Sequence, residues 1–116
     1  MNRSQTEAKA TTASTLYLEM RGYTILEQNW RRSKQRIDIV AKKGTTVYFV
    51  TVEYRSDAVN ALTTVDVLTE TKAKRLIAAA ETWVREEKWS GKYALSAIEV
   101  GDPGYAIISF TDRLSY

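Results

Sequence analysis

One hundred and sixteen residues with 44% hydrophobic and 27% charged content have the make-up of one globular domain with room for a core. The chain has no Cys and no His, which excludes disulfide frameworks, thiolate chemistry, imidazole bases and His-ligated zinc. A formal charge of +3 permits nucleic acid without requiring it, and no apolar run approaches membrane-spanning length. A cytoplasmic protein with no membrane partner is expected, one domain over residues 1–116 with a frayed tail at 1–4.

Helical spacing of Ala10, Ala13, Tyr17 and Met20 predicts a helix from about Thr6 to Arg21, stopped by Gly22. Four hydroxyl residues (Thr11, Thr12, Ser14, Thr15) weaken its propensity, so packing has to stabilise it. A strand is expected near Tyr23–Trp30. Two more follow on either side of Lys42-Lys43-Gly44-Thr45, one centred on Gln35-Arg36-Ile37-Asp38-Ile39-Val40-Ala41 and one on Val50-Thr51-Val52-Glu53-Tyr54-Arg55. Residues 56–66 read as a loop, with Thr69 as the N-cap of a helix reaching Glu87. Its apolar face is Ala73, Leu76, Ile77, Ala80, Trp83 and Val84. After a turn at Ser90-Gly91, strands are expected at Tyr93–Val100 and Tyr105–Phe110. Pattern alone supports an α/β domain.

Strand alternation puts Arg36 and Asp38 on one face of their strand, and Thr51 and Glu53 on one face of its partner. Ile37, Ile39, Val50 and Val52 then point the other way. With Lys43 and Gly44 as the turn, Arg36 lies opposite Thr51 and diagonal to Glu53, close enough to pair.

These segments resemble the YraN-type family of predicted endonucleases, which is related in fold to archaeal Holliday-junction resolvases and PD-(D/E)xK nucleases. The resemblance rests on Tyr17-Leu18, Gly22-Tyr23, Ile25-Leu26, Asn29-Trp30-Arg31, Ile37-Asp38, Ala41, Phe49-Val50, Val52 and Arg55. Farther on it includes Thr69, Lys72, Arg75-Leu76 and Ala79-Ala80. It implies a restriction-endonuclease-like αβββαββ core with a mixed central sheet flanked by helices. It also implies action on branched or duplex DNA, magnesium or manganese as cofactor if the site is active, and a homodimer suited to a two-fold junction.

The departures fall on the working residues. Thr11 stands where the family has a Glu on the first helix, and Arg36 where a Glu precedes the motif Asp. Thr51 and Glu53 replace the Glu and Lys of the Glu-x-Lys pair, so Asp38 alone keeps its place. Carboxylates in such a site hold a hard cation and a lysine stabilises developing charge, so these exchanges predict impaired catalysis. Rescue would fall to Glu53 as a second ligand, or to Glu7 one turn before Thr11, with Arg36, Arg55 or Lys72 as the cation. A protein-interaction module on the same fold is the third reading. With no His or Cys, any metal needs oxygen ligands.

Arg31, Arg32, Lys34 and Arg36 crowd the approach to Asp38, Arg55 ends the next strand, and Lys72, Lys74 and Arg75 open the long helix. Taken singly these are solvated charges; gathered around one polar face they form a phosphate track. Trp30 reads as a half-buried aromatic at the sheet edge rather than a base-stacking platform, and Trp83 as core.

Overall fold

A computed structural model of the chain describes residues 3–55 and 70–114. Its elements are α1 (Arg3–Met20), β1 (Thr24–Arg32), β2 (Gln35–Lys43), β3 (Thr46–Arg55), α2 (Glu70–Glu87), β4 (Lys92–Gly101) and β5 (Ala106–Thr111). The expected loop at 56–66 and the Thr69 cap lie outside the described residues. The five strands form one sheet in sequence order, antiparallel except for the parallel pair β3–β4 that α2 crosses over to join. This is the mixed α/β αβββαββ arrangement. Among the described residues no helix is long and apolar enough to cross a membrane.

Helix α1 starts at Arg3 rather than near Thr6, and its buried face is not the one its larger residues suggest. Ala10, Thr11, Ser14, Thr15 and Leu18 are buried, whereas Met20 is 88% exposed. The hydroxyls make this face workable by bonding back into their own helix: Ser14 Oγ donates to the Ala10 carbonyl at 2.9 Å and Thr15 Oγ1 to the Thr12 carbonyl at 2.8 Å. Small satisfied side chains let α1 lie close to the sheet. The helix ends in a Schellman motif, with Gly22 at φ +89° and the Tyr23 amide donating to the Leu18 carbonyl at 3.0 Å.

Helices cover both faces of the sheet, giving two cores. Under α2 pack Trp30, Ile37, Val40, Val47, Phe49, Ala73, Leu76, Ala79, Ala80 and Trp83; under α1 pack Leu18, Tyr23, Ile39, Ala41, Tyr48, Val50, Ile98 and Val100. Trp30 is therefore core, 3% exposed, not half-buried at an edge. Trp83 is core as expected, and its indole N–H donates to Glu27 on β1. Ile37 belongs to the α2 core, while Ile39, Val50 and Val52 face α1, so the four do not share a face.

The β2–β3 turn is Gly44-Thr45, with Lys43 paired to Thr46, and not Lys43-Gly44. Gly44 has φ +62° and Thr45 does not share that sign, so the glycine takes the first central position, as in a type II′ hairpin. The register is accordingly two residues away from the expected one.

Candidate functional site

The β2–β3 ladder runs from Lys43↔Thr46 to Ile39↔Val50 and then stops. Beyond that point β2 stays paired with β1, and β3 stays paired with β4. The sheet forks there, and a cleft of about 990 Å³ opens between the N-terminal parts of both helices. Its lining includes Asp38 from β2, Thr51 and Glu53 from β3, Glu7 and Thr11 from α1, and Lys72 and Arg75 from α2.

Asp38 stands at the crotch of the fork, its side chain 13% exposed. Oδ2 accepts the Val52 N–H at 2.8 Å and the Thr51 hydroxyl at 3.4 Å; Oδ1 faces an Arg36 guanidinium nitrogen at 3.3 Å. Burial pushes its carboxyl pKa above the ordinary value. The Val52 amide, the Arg36 charge and the Thr51 hydroxyl oppose that rise, and the Glu7 charge adds to it. Glu7 thus shares the cleft and the field of Asp38, as the spacing from Thr11 predicts. Thr11 itself is buried at 6% exposure.

Across the fork Glu53 pairs with Lys72 of α2, Nζ to Oε1 at 2.8 Å. Arg36 therefore bonds to Asp38 and Glu53 to Lys72, in place of the expected Arg36–Glu53 diagonal. Tyr54 closes one side; its hydroxyl donates to Asp102 Oδ1 at 2.6 Å, and this bond, with burial, pushes its pKa up to about 12.

The residues present do not make a ready metal centre. Among the described residues no group of three or more carboxylates converges. Asp38 spends both oxygens on protein partners, and Glu53 bonds an ammonium. A cation seeking six or more oxygens finds two engaged carboxylates and the neutral Thr51.

Five of the eight basic residues expected to meet phosphate line the cleft: Arg31, Lys34, Arg36, Lys72 and Arg75. The other three turn elsewhere. Arg32 bonds Glu86 at 2.8 Å and covers the Trp30 ring, and Lys74 pairs with Glu70 one turn away at 3.2 Å. Arg55 binds Glu99 of β4, which is completely buried and also accepts the Ser109 hydroxyl at 2.9 Å. The Arg55–Glu99 pair is absent from the sequence reading because a Glu inside an apolar strand gives no sign of its partner. Asn29, also in the cleft, enters that reading only as a matched family position.

Residues 10–100 match the model of Uncharacterised protein family UPF0102. A UPF0102 protein of Methylococcus capsulatus is 35% identical over 107 residues, covering 90% of this chain and 84% of its own length. One from Chloroflexus aurantiacus is 44% identical over 68 residues (59% of this chain, 53% of the relative), and one from Bacteroides fragilis 38% over 73 (63% and 60%). With residues 10–100 matched by the family model and 90% of the chain aligned to one relative, the chain belongs to UPF0102, the YraN-type family that its motifs resemble.

Proposed function

We propose that this chain is a nuclease-like protein that binds nucleic acid through the forked cleft, with a metal site too depleted for efficient cutting. Family membership suggests the nuclease-like character. One observation carries the binding: Arg31 and Arg36 are direct cross-strand partners at the end of the β1–β2 hairpin, and both line the cleft. Like charges directly opposite each other are destabilising; Asp38 compensates Arg36 in part, at 3.3 Å, and a further anion between the two arginines reverses the sign. Lys34, in that hairpin's Ser33-Lys34 turn, and Arg75 on α2 add positive charge to the same cleft. A phosphate backbone, branched or duplex, supplies anions at the needed density.

The loss of catalysis is supported by the pairing just described, in which Arg36 and Lys72 occupy the two carboxylates that a metal requires. A second reading, an endonuclease dependent on magnesium or manganese, is favoured by Asp38, Glu53 and Glu7 lining one cleft with the Lys72 ammonium. There a metal has to displace Arg36 from Asp38 and Lys72 from Glu53.

The test is a band-shift and cleavage assay on labelled four-way-junction and duplex DNA, with manganese, magnesium or EDTA, alongside Asp38→Ala. Binding without cutting is expected. Metal-dependent cutting that Asp38→Ala abolishes would establish the second reading. Neither binding nor cutting would reject both and turn attention to a protein partner.

A further inference from the structure

The fork needs a cause, because a regular antiparallel ladder would have run on through Asp38. Side-chain faces along β1 and β2 locate it. In β2, Ile37 and Val40 both lie under α2, three residues apart, while Ile39 and Ala41 lie under α1. Strict alternation forbids this, so the strand makes an extra half-turn between Ile37 and Ile39, at Asp38. Strand β1 does the same. Glu27 reaches Trp83 on α2, and Trp30, three residues on, also packs under α2. Between them Asn29 has φ +52°, a left-handed backbone inside a strand.

The two irregularities coincide. Gln28 pairs with Ile39 and Trp30 with Ile37, which sets Asn29 directly across from Asp38. A left-handed residue rotates the chain as a bulge does, re-aiming the side chains beside it. Beyond it the hairpin end seats Trp30 and Ile37 under α2. Asp38 is left at the fork, its carboxylate meeting Val52 and Thr51 from β3 and Arg36 from its own strand, with Glu7 of α1 nearby.

We infer that Asn29 is a positioning residue for the cleft: its left-handed backbone carries the half-turn that takes Asp38 off the β2–β3 ladder and points its carboxylate at the Val52 amide. The inference rests on this cleft being the functional site. Asparagine enters the left-handed region far more readily than β-branched residues do, and glycine enters it freely. The consequence is a strict ranking of substitutions, in which Gly preserves the fork and Val closes it.

The experiment is a ¹⁵N–¹H NMR comparison of the free protein with Asp38→Ala, Asn29→Gly and Asn29→Val, read at the Val52 amide. Asp38→Ala marks where that resonance moves without its carboxylate acceptor. Asn29→Gly is expected to leave it at the native position, and Asn29→Val to move it to the Asp38→Ala position. A folded Asn29→Val protein with Val52 unmoved would overturn the inference. So would movement in Asn29→Gly, which would assign the role to the side-chain amide. Should Asn29→Val fail to fold, Asn29→Ala takes its place, with the same two readings. A residue that merely stabilises the strand would lower the melting temperature without displacing Val52. No nucleic acid is present, so failure here is separate from failure of the binding proposal.

Discussion

The Asp38 carboxylate accepts the Val52 N–H at 2.8 Å just past Ile39↔Val50, where the β2–β3 ladder has ended and a backbone carbonyl would otherwise have served. Asp38 is thus a structural cap on the fork as well as the acid of the proposed site. Asp38→Ala should cost about 1–3 kcal/mol by leaving a sheltered amide without an acceptor, measured as a lower urea midpoint. Asp38→Asn keeps an acceptor oxygen and should cost less. Equal losses in the two variants would mean that the charge, and not the Val52 bond, is what matters.

Arg31 and Arg55 look interchangeable in the sequence, as cations beside a nuclease-like strand, but the fold assigns them different work. Arg31 lines the cleft opposite Arg36, whereas Arg55 is bonded to the fully buried Glu99. Arg31→Ala should weaken DNA binding, lower the slope of log affinity against log salt by about 1, and, by relieving the repulsion from Arg36, slightly raise the melting temperature of the free protein. Arg55→Ala should strand a buried carboxylate and destabilise the fold by about 3–5 kcal/mol, with little change in salt slope. A reversed pattern in band shifts at several salt concentrations would remove Arg31 from the phosphate track.

The elements were largely legible in the sequence because each rests on local signals: turn residues near Gly22 and Gly44, period-two alternation in β3, and the apolar stripe of α2. The fork was not. A Lys-Gly-Thr turn satisfies the glycine at either central position, and that ambiguity shifts the register by two residues. Alternation also assumes a regular strand, so the half-turn at Asp38 put Ile37 in the wrong core. On α1 the buried face includes Thr11, Ser14 and Thr15, the last two bonding their hydroxyls within the helix, and apolar spacing passes over such residues. The composition of the cleft was readable from Arg36, Asp38, Thr51 and Glu53. Which charge meets which depended on α2 bringing Lys72 to Glu53.

Tyr54 provides a pH-dependent probe at the cleft edge. Its hydroxyl donates to Asp102, which with burial raises the phenol to about 12. Because the folded pKa lies above the unfolded one, this contribution to stability is complete below the ordinary tyrosine value and lost as pH rises toward 12. Burial raises Tyr23 as well, so absorbance at the phenolate band should show more than one late-titrating tyrosine, and Tyr54→Phe should remove the step at about 12 while leaving that of Tyr23. Asp102→Ala should return the Tyr54 step toward about 10. A Tyr54 that titrates normally in the native protein would mean that the Asp102 bond does not form in solution.

Restoring the family's acids and base together tests the cause of the proposed impairment. Thr11→Glu, Arg36→Glu, Thr51→Glu and Glu53→Lys rebuild the carboxylate set around Asp38 and remove the arginine bonded to its Oδ1. They also place carboxyls at Thr11, which is buried, and at the partly buried Thr51, where charge without a counterion is costly. The restored protein should therefore be less stable than the native one in EDTA and should gain melting temperature with manganese or magnesium, since a ligand binding only the folded state stabilises it by mass action. Metal-dependent cleavage of junction or duplex DNA should appear in the fourfold variant and be lost again on adding Asp38→Ala. A variant that folds and binds metal yet does not cut would show that the four replacements are not what separates this chain from a nuclease.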